Sequence, residues 1–222
     1  MRKSRLGLIL LSLFAASFLM CSSLAKPSAI IFFDNFSGKK LSGGWNVEIN
    51  GGASYTVGHS ILTLSSTGQP YDSVTIYRDF VPKTDKFTLS AKVKATTLGG
   101  FALRLHASAL PIFGSIEGAQ LEFDNGIGGK NFMAVWKPLG GGWTWTNIYQ
   151  PVTTEVWFIL ELTVQRNPFS IRFSLYNSKS TLLGTTTITS IGFGYGDIRY
   201  VCLEVWSGPN APIYNVDWIR IN

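Results

Sequence analysis

Hydrophobic and polar residues alternate along most of the chain after residue 30. In the segment FTLSAKVKAT, residues 87–96, one face would carry Phe87, Leu89, Ala91 and Val93, and the other Thr88, Ser90, Lys92 and Lys94. The same period of two recurs in FALRLHAS, VWFILELTVQR, SIRFSLYNS and YVCLEVWS. A period of two is typical of β-strands with one face buried, because successive side chains leave opposite faces of a strand.

Glycine, proline and asparagine clusters separate these segments at short intervals, as at Gly51-Gly52, Gly99-Gly100 and Asn167-Pro168. No segment of useful length has a helical period. Many short strands joined by such turns predict an all-β fold, with two antiparallel sheets packed as a sandwich or jelly roll. With no linker or repeat after the N-terminal segment, we expect one domain over residues 26–222.

The N-terminal segment has the pattern of a secretory signal. Basic residues in MRKSR precede the apolar run LGLILLSLFAASFLM and the small-residue exit CSSLA. We therefore expect a signal peptide over residues 1–25 and a secreted, extracytoplasmic or cell-surface protein, with an uncleaved anchor as the alternative. No second apolar segment is long enough to span a membrane, so the mature chain is expected to have no membrane span.

Cleavage after Ala25 removes Cys21 and leaves Cys202 alone, so no intrachain disulfide is expected. It also lowers the formal net charge from +6 to +3, because Arg2, Lys3 and Arg5 leave with the signal. The remaining basic residues are scattered and form no run that could follow a phosphate backbone. Nucleic acid is therefore excluded as an expected partner.

Both ends of the domain carry a resemblance to a known superfamily. The chain opens with IIFFDNFSG, GGWNVEING and SILTLSS and closes with APIYNVDWIRIN. These segments resemble the concanavalin A-like lectin/glucanase superfamily, whose extracellular members often open on Asp-x-Phe and close on Val-Asp-Trp-[Val/Ile]-Arg-[Val/Ile]. The resemblance extends over residues 30–222 and implies a concanavalin A-like jelly roll. It leaves function open, because the superfamily includes lectins, laminin G-like modules, carbohydrate-binding modules, glucanases and alginate lyases.

Ligands of such jelly rolls usually lie across one concave sheet, and the alternation indicates which side chains line it. If Leu121 and Phe123 are in the core, Gln120, Glu122 and Asp124 face outward. Extending this rule to other strands and to the tryptophans gives the candidate carbohydrate-binding residues Arg104, His106, Gln120, Glu122, Asp124, Trp136, Trp143, Trp145, Glu204 and Trp206. Indole rings suit the C–H faces of sugars, and planar polar groups suit their hydroxyls. An ordinary solvated sheet face is the alternative.

Glu122 and Asp124 also match part of a catalytic motif. The glucanase branch uses Glu-x-Asp-x-x-Glu on one strand, and a retaining mechanism needs two carboxyl groups about 5 Å apart. The third position here is Ile127, so the proton donor is absent from the motif. We expect no catalysis. If the protein were a glycoside hydrolase, it would use Glu122, Asp124 and Glu204. Polysaccharide lyases of this fold use arginine, glutamine and histidine, and Arg104, Gln120 and His106 are of these types.

The resemblance implies a structural calcium ion as a possible cofactor. Asp217 in NVDWIRI stands where glucanases of this fold place a carboxylate ligand, and Asp34 belongs to the opening strand that is expected to lie beside the last strand. Carboxylates are the hard oxygen ligands that Ca²⁺ prefers. The alternative is that Asp217 only hydrogen-bonds a neighbouring loop.

These observations favour an exported, lectin-like domain that binds a glycan or polysaccharide on its concave sheet without cleaving it. Two alternatives stay open: a carbohydrate-active enzyme acting in the same groove, and an extracellular adhesion module that binds protein.

Overall fold

The structure is a computed structural model that describes residues 30–107, 117–124, 131–138, 141–207 and 210–222. The expected signal peptide lies outside the described residues. Fifteen strands and one turn of 3-10 helix, Tyr195–Asp197, are found among the described residues, without an α-helix. The all-β prediction is therefore confirmed. Over this part of the chain, no helix has the length and apolarity needed to cross a membrane.

Two antiparallel sheets are stacked face to face. The strands in chain order are β1 (Phe32–Asp34), β2 (Asn46–Asn50), β3 (Ser54–Gly58), β4 (Ile61–Ser65), β5 (Ser73–Asp79), β6 (Lys86–Thr97), β7 (Gly100–His106), β8 (Gly118–Asp124), β9 (Asn131–Lys137), β10 (Thr144–Tyr149), β11 (Trp157–Gln165), β12 (Ser170–Asn177), β13 (Leu182–Ile188), β14 (Tyr200–Trp206) and β15 (Ile213–Ile221). Sheet A has the order β13-β12-β11-β6-β15-β4-β3, and sheet B has the order β10-β9-β8-β7-β14-β5-β2.

The last strand lies in the interior of sheet A. One edge of β15 pairs with β6, and the other pairs first with β4 and then with β1, where Asp34 stands opposite Ile219. The expected neighbourhood of the opening and closing segments is confirmed. The two ends of the described chain therefore complete one sheet together.

The core lies between the sheets and is filled from both by alternate residues. Phe87, Leu89, Ala91 and Val93 of β6 are buried, as are Leu103 of β7 and the alternate residues of β14. The period of two explains this arrangement, since each strand directs every second side chain inward. The outer face of sheet B carries the polar side chains of β7, β8 and β14 that the alternation directs away from the core.

Candidate functional site

A groove of about 640 Å³ lies on the outer face of sheet B. Its walls and floor are formed by Pro70, Tyr71, Asp72, Ser73, Arg104, Gln120, Glu122, Met133, Val135, Trp143, Trp145, Glu204, Trp206 and Ser207. Every strand from β10 to β5 in the sheet order contributes at least one of these residues. The groove therefore crosses the strands rather than following one of them.

Strand register places the polar side chains of the floor in two adjacent rows. Arg104 pairs with Gln120 in one row, and Ala102 lies between Glu122 and Glu204 in the next. Directly opposite residues of neighbouring strands point to the same face. The small, buried Ala102 thus separates the two glutamates of the floor.

The floor residues form one hydrogen-bonded network. The Nε of Arg104 donates a hydrogen bond to Oε1 of Gln120 at 2.6 Å, and Nε2 of Gln120 donates to the carboxylate of Glu122. On its other side, the Nη2 of Arg104 forms an ion pair with Glu204. Because breaking a buried pair leaves an uncompensated charge, this network holds the floor in one arrangement.

One donor of the network has no acceptor among the described residues. Arg104 is 2% exposed, and no described residue accepts a hydrogen bond from its buried Nη1. A buried donor without an acceptor costs free energy, and an acceptor on a bound molecule removes that cost. The Nη1 of Arg104 is thus an unsatisfied donor buried within the floor of the groove.

Aromatic rings stand above this floor. Trp143 and Trp145 are 44% and 46% exposed, although a tryptophan usually buries more of its surface. Trp206 lies opposite Gly100 in the register, and a Cβ at Gly100 would overlap the indole ring. The glycine therefore lets the Trp206 ring rest against the backbone of β7. Together the three indoles give the groove flat apolar surfaces beside its polar floor.

The loop before β5 forms the end of the groove opposite Trp145. Tyr71 is 83% exposed and has a left-handed φ of 68°, a conformation that non-glycine residues seldom adopt. The adjacent Asp72 fixes the loop: its carboxylate accepts hydrogen bonds from the Thr67 hydroxyl and from the amide of Gly52, the latter at 2.9 Å. These two hydrogen bonds lower the pKa of Asp72. The Tyr71 ring is thus exposed on a fixed backbone.

Most of the predicted groove residues meet in this site. Those that line it are Arg104, Gln120, Glu122, Trp143, Trp145, Glu204 and Trp206. Trp136 does not, because it pairs with Ala119 on the inner face of the sheet and packs against the core. Met133 and Val135 take the outer positions of β9 in its place. Asp124 ends β8, but its side chain and Ile127 lie outside the described residues.

His106 and Cys202 share the outer face of sheet B but are fully buried and do not line the groove. The His106 ring centroid is 5.9 Å from that of Tyr200, the residue opposite it in the register. Burial, with a smaller contribution from the Arg104 charge, lowers the pKa of His106 to about 4. Burial raises the pKa of Cys202 to about 12, so this thiol is not activated as a nucleophile.

Sequence reasoning missed the loop residues Pro70 to Ser73, together with Met133, Val135 and Ser207. The loop has no hydrophobic period, and nothing in its sequence indicates which strands lie beside it. Its one signal is the turn cluster STGQP directly before Tyr71, which predicts a surface loop carrying an aromatic side chain.

The two glutamates of the floor are each engaged by a neighbouring side chain. They lie on strands separated by β7, so their Cα atoms are two strand spacings apart, about 9 to 10 Å. Cleavage of a glycosidic bond needs one protonated carboxyl as proton donor. Here both carboxylates are engaged, Glu204 in the ion pair with Arg104 and Glu122 in its hydrogen bond from Gln120. The geometry suits binding of hydroxyl groups better than proton transfer.

The expected calcium ligands do not form a cation site. The Asp34 carboxylate accepts hydrogen bonds from the Phe36 amide at 2.8 Å, from the Trp45 indole at 2.9 Å and from the Ser42 hydroxyl. Asp217 forms a 2.7 Å ion pair with Lys92. Within the described residues, no group of three or more His, Cys, Asp and Glu could hold a metal ion. Both carboxylates are occupied by protein donors, and the residues do not fit Ca²⁺.

Comparison with solved structures identifies the fold. The chain is similar to the carbohydrate recognition domain of Emp47p (13% identity, TM-score 0.61, covering 85% of this chain and 92% of that one) and to peanut lectin (10%, 0.62, 86% and 95%). It is also similar to the endo-1,3-beta-glucanase of Streptomyces sioyaensis (16%, 0.57, 90% and 98%).

The fold is that of the concanavalin A-like lectins and glucanases. The resemblance in the opening and closing segments is therefore confirmed at the level of fold. No model of a known protein family matches the chain, and no curated protein matches its sequence significantly. Because identity to the solved structures is low, function must be argued from the groove itself.

Proposed function

We propose that the protein binds a glycan in the groove of sheet B and does not cleave it. The observation that carries this proposal is the pair of half-exposed indoles, Trp143 and Trp145, beside the network of Arg104, Gln120 and the two glutamates. Exposed apolar rings are costly unless they meet a partner. Sugars have apolar C–H faces for the rings and hydroxyls that can hydrogen-bond the polar groups of the floor.

The names of the similar structures support carbohydrate binding in general, since they include a carbohydrate recognition domain, a lectin and a glucanase. They do not distinguish a lectin from an enzyme. The preference for binding without cleavage comes from the floor, where Glu204 is held in an ion pair and Glu122 accepts a hydrogen bond from Gln120. A hydrolase acting through Glu122 and Glu204 is the second candidate, favoured only by their placement on either side of Ala102.

A glycan array followed by titration calorimetry tests the proposal. The double variant Trp143→Ala/Trp145→Ala should lose at least about tenfold in affinity for the best glycan, because two stacking surfaces are removed. Trp218→Ala is the matched control, since Trp218 lies in β15 of the other sheet and beside Arg220. Equal affinity of wild type and double variant would contradict the role of the indoles.

Catalysis is tested separately by incubating the bound glycan with wild type and with Glu122→Gln. We expect no release of reducing ends from either protein. Product release by wild type that is lost in Glu122→Gln would replace the lectin-like proposal with the hydrolase.

We also propose that binding takes place outside the cytoplasm. The support is the signal-like pattern of residues 1–25. Terminal sequencing of the protein expressed in its source cells should find a mature terminus at Lys26, whereas an intact Met1 would favour the anchor.

A further inference from the structure

The groove extends much further than a single sugar requires. Six neighbouring strands line it, from β5 through β14, β7, β8 and β9 to β10. Five spacings of 4.7 to 4.9 Å give a span of about 24 Å along the sheet. This is the length of several linked pyranose rings.

Aromatic rings stand at both ends of this span. Trp145 belongs to β10 at one end, and Tyr71 stands beside β5 at the other, on the loop that Asp72 fixes. Trp206 lies between them, against Gly100. A ligand that reaches from one end of the groove to the other would contact the rings at both ends.

The charges of the groove favour uncharged sugars. Its described lining carries three carboxylates, those of Asp72, Glu122 and Glu204, and a single guanidinium, that of Arg104. Glu204 already forms an ion pair with that guanidinium. An acidic sugar would therefore meet more carboxylates than cations among the described lining residues, whereas a sugar hydroxyl can donate a hydrogen bond to a carboxylate. Lys137 contributes only at the rim, where its ammonium is 5.9 Å from the Trp143 ring centroid.

We infer that the ligand is a chain of several uncharged sugar units lying across the strands, from Tyr71 to Trp145. This inference rests on the proposed glycan binding and adds the length and the charge of the glycan. It also gives Tyr71 a function: the ring contacts the end of the chain that lies farthest from β10. The strained left-handed backbone at Tyr71 is consistent with such a functional position.

The experiment uses an array of neutral gluco-, manno-, galacto- and xylo-oligosaccharides of one, three and six units, with oligouronides of equal length. Affinity should rise at least about tenfold from one to six units in the neutral series that binds, and the oligouronides should bind more weakly. Binding that is already complete with one unit, or that is confined to oligouronides, would overturn this inference and leave the proposed function standing. A blank array would remove the proposed function itself.

Tyr71→Ala then tests the far end of the groove. The variant should lose roughly three- to tenfold in affinity for six units and less than twofold for the three-unit chain, because one stacking contact is lost. Tyr176→Ala, on the outer face of sheet A, is the matched control. Equal loss for both chain lengths, or no loss for six units, would show that Tyr71 does not contact the end of a chain.

Discussion

At the scale of single residues, His106 makes stability depend on pH. Its folded pKa of about 4 lies below the usual 6.5 because burial and the Arg104 charge oppose protonation. Between these values the unfolded chain binds more protons, so stability is complete above pH 6.5 and falls as the pH drops toward 4. The loss integrates to about 3 kcal/mol.

Urea denaturation between pH 5 and 7 measures this effect. Most carboxylates titrate below this range, so they contribute little to the change. Wild type should lose free energy of unfolding as the pH falls, while His106→Gln should lose much less over the same range. Parallel curves for the two proteins would show that His106 titrates normally in the folded state.

Single residues also show what the sequence could and could not predict about the site. The alternation assigns Arg104, Gln120 and Glu122 to the outer face of sheet B, where the structure has them, because their strands carry large apolar residues on one face only. In NFMAVWK both faces of β9 are apolar, so parity groups Phe132, Ala134 and Trp136 but does not tell which face meets the core. Tyr71 was missed because strand adjacency, which places its loop at the groove, is not encoded in any local pattern.

At the scale of elements, Asp34 connects the opening strand to the segment that follows it. Its buried carboxylate accepts three hydrogen bonds, from Phe36, Ser42 and Trp45. Asp34→Ala would leave these donors without their acceptor, so the free energy of unfolding should fall by about 2 to 4 kcal/mol. Thermal and urea denaturation measure the change.

The same measurement separates this role from the calcium site that the resemblance implied. Wild type and Asp34→Ala should each unfold at the same temperature in calcium and in EDTA, because the carboxylate is occupied by protein donors. A rise in melting temperature with calcium that is confined to wild type would restore a metal role, since a ligand that binds only the folded state stabilises it.

The opening and closing motifs were also the most informative elements of the sequence. They predicted the fold and the contact between the first and last strands, because β1 and β15 keep the Asp-x-Phe and Val-Asp-Trp patterns intact. The order of the intervening strands in sheet B could not be read in the same way. Antiparallel strands can be ordered in several ways that satisfy the same alternation.

At the scale of the whole molecule, stability depends on packing, because Cys202 is the one cysteine of the described chain and has no disulfide partner there. The interior of sheet A, where the last strand pairs on both edges, tests this dependence. Ile219 is fully buried in β15, opposite both Asp34 and Ala91. Ile219→Ala should therefore cost about 2 to 5 kcal/mol, combining lost burial with a cavity in the core between the two sheets.

Leu182→Ala is the matched control, since Leu182 is half exposed at the start of the edge strand β13 and should cost within about 0.5 kcal/mol. Urea denaturation of both variants measures the difference. If the two cost the same, the last strand would not be the structural centre of sheet A. A large cost at Ile219 with unchanged glycan affinity at low temperature would show that sheet A supports the fold while sheet B alone carries the groove.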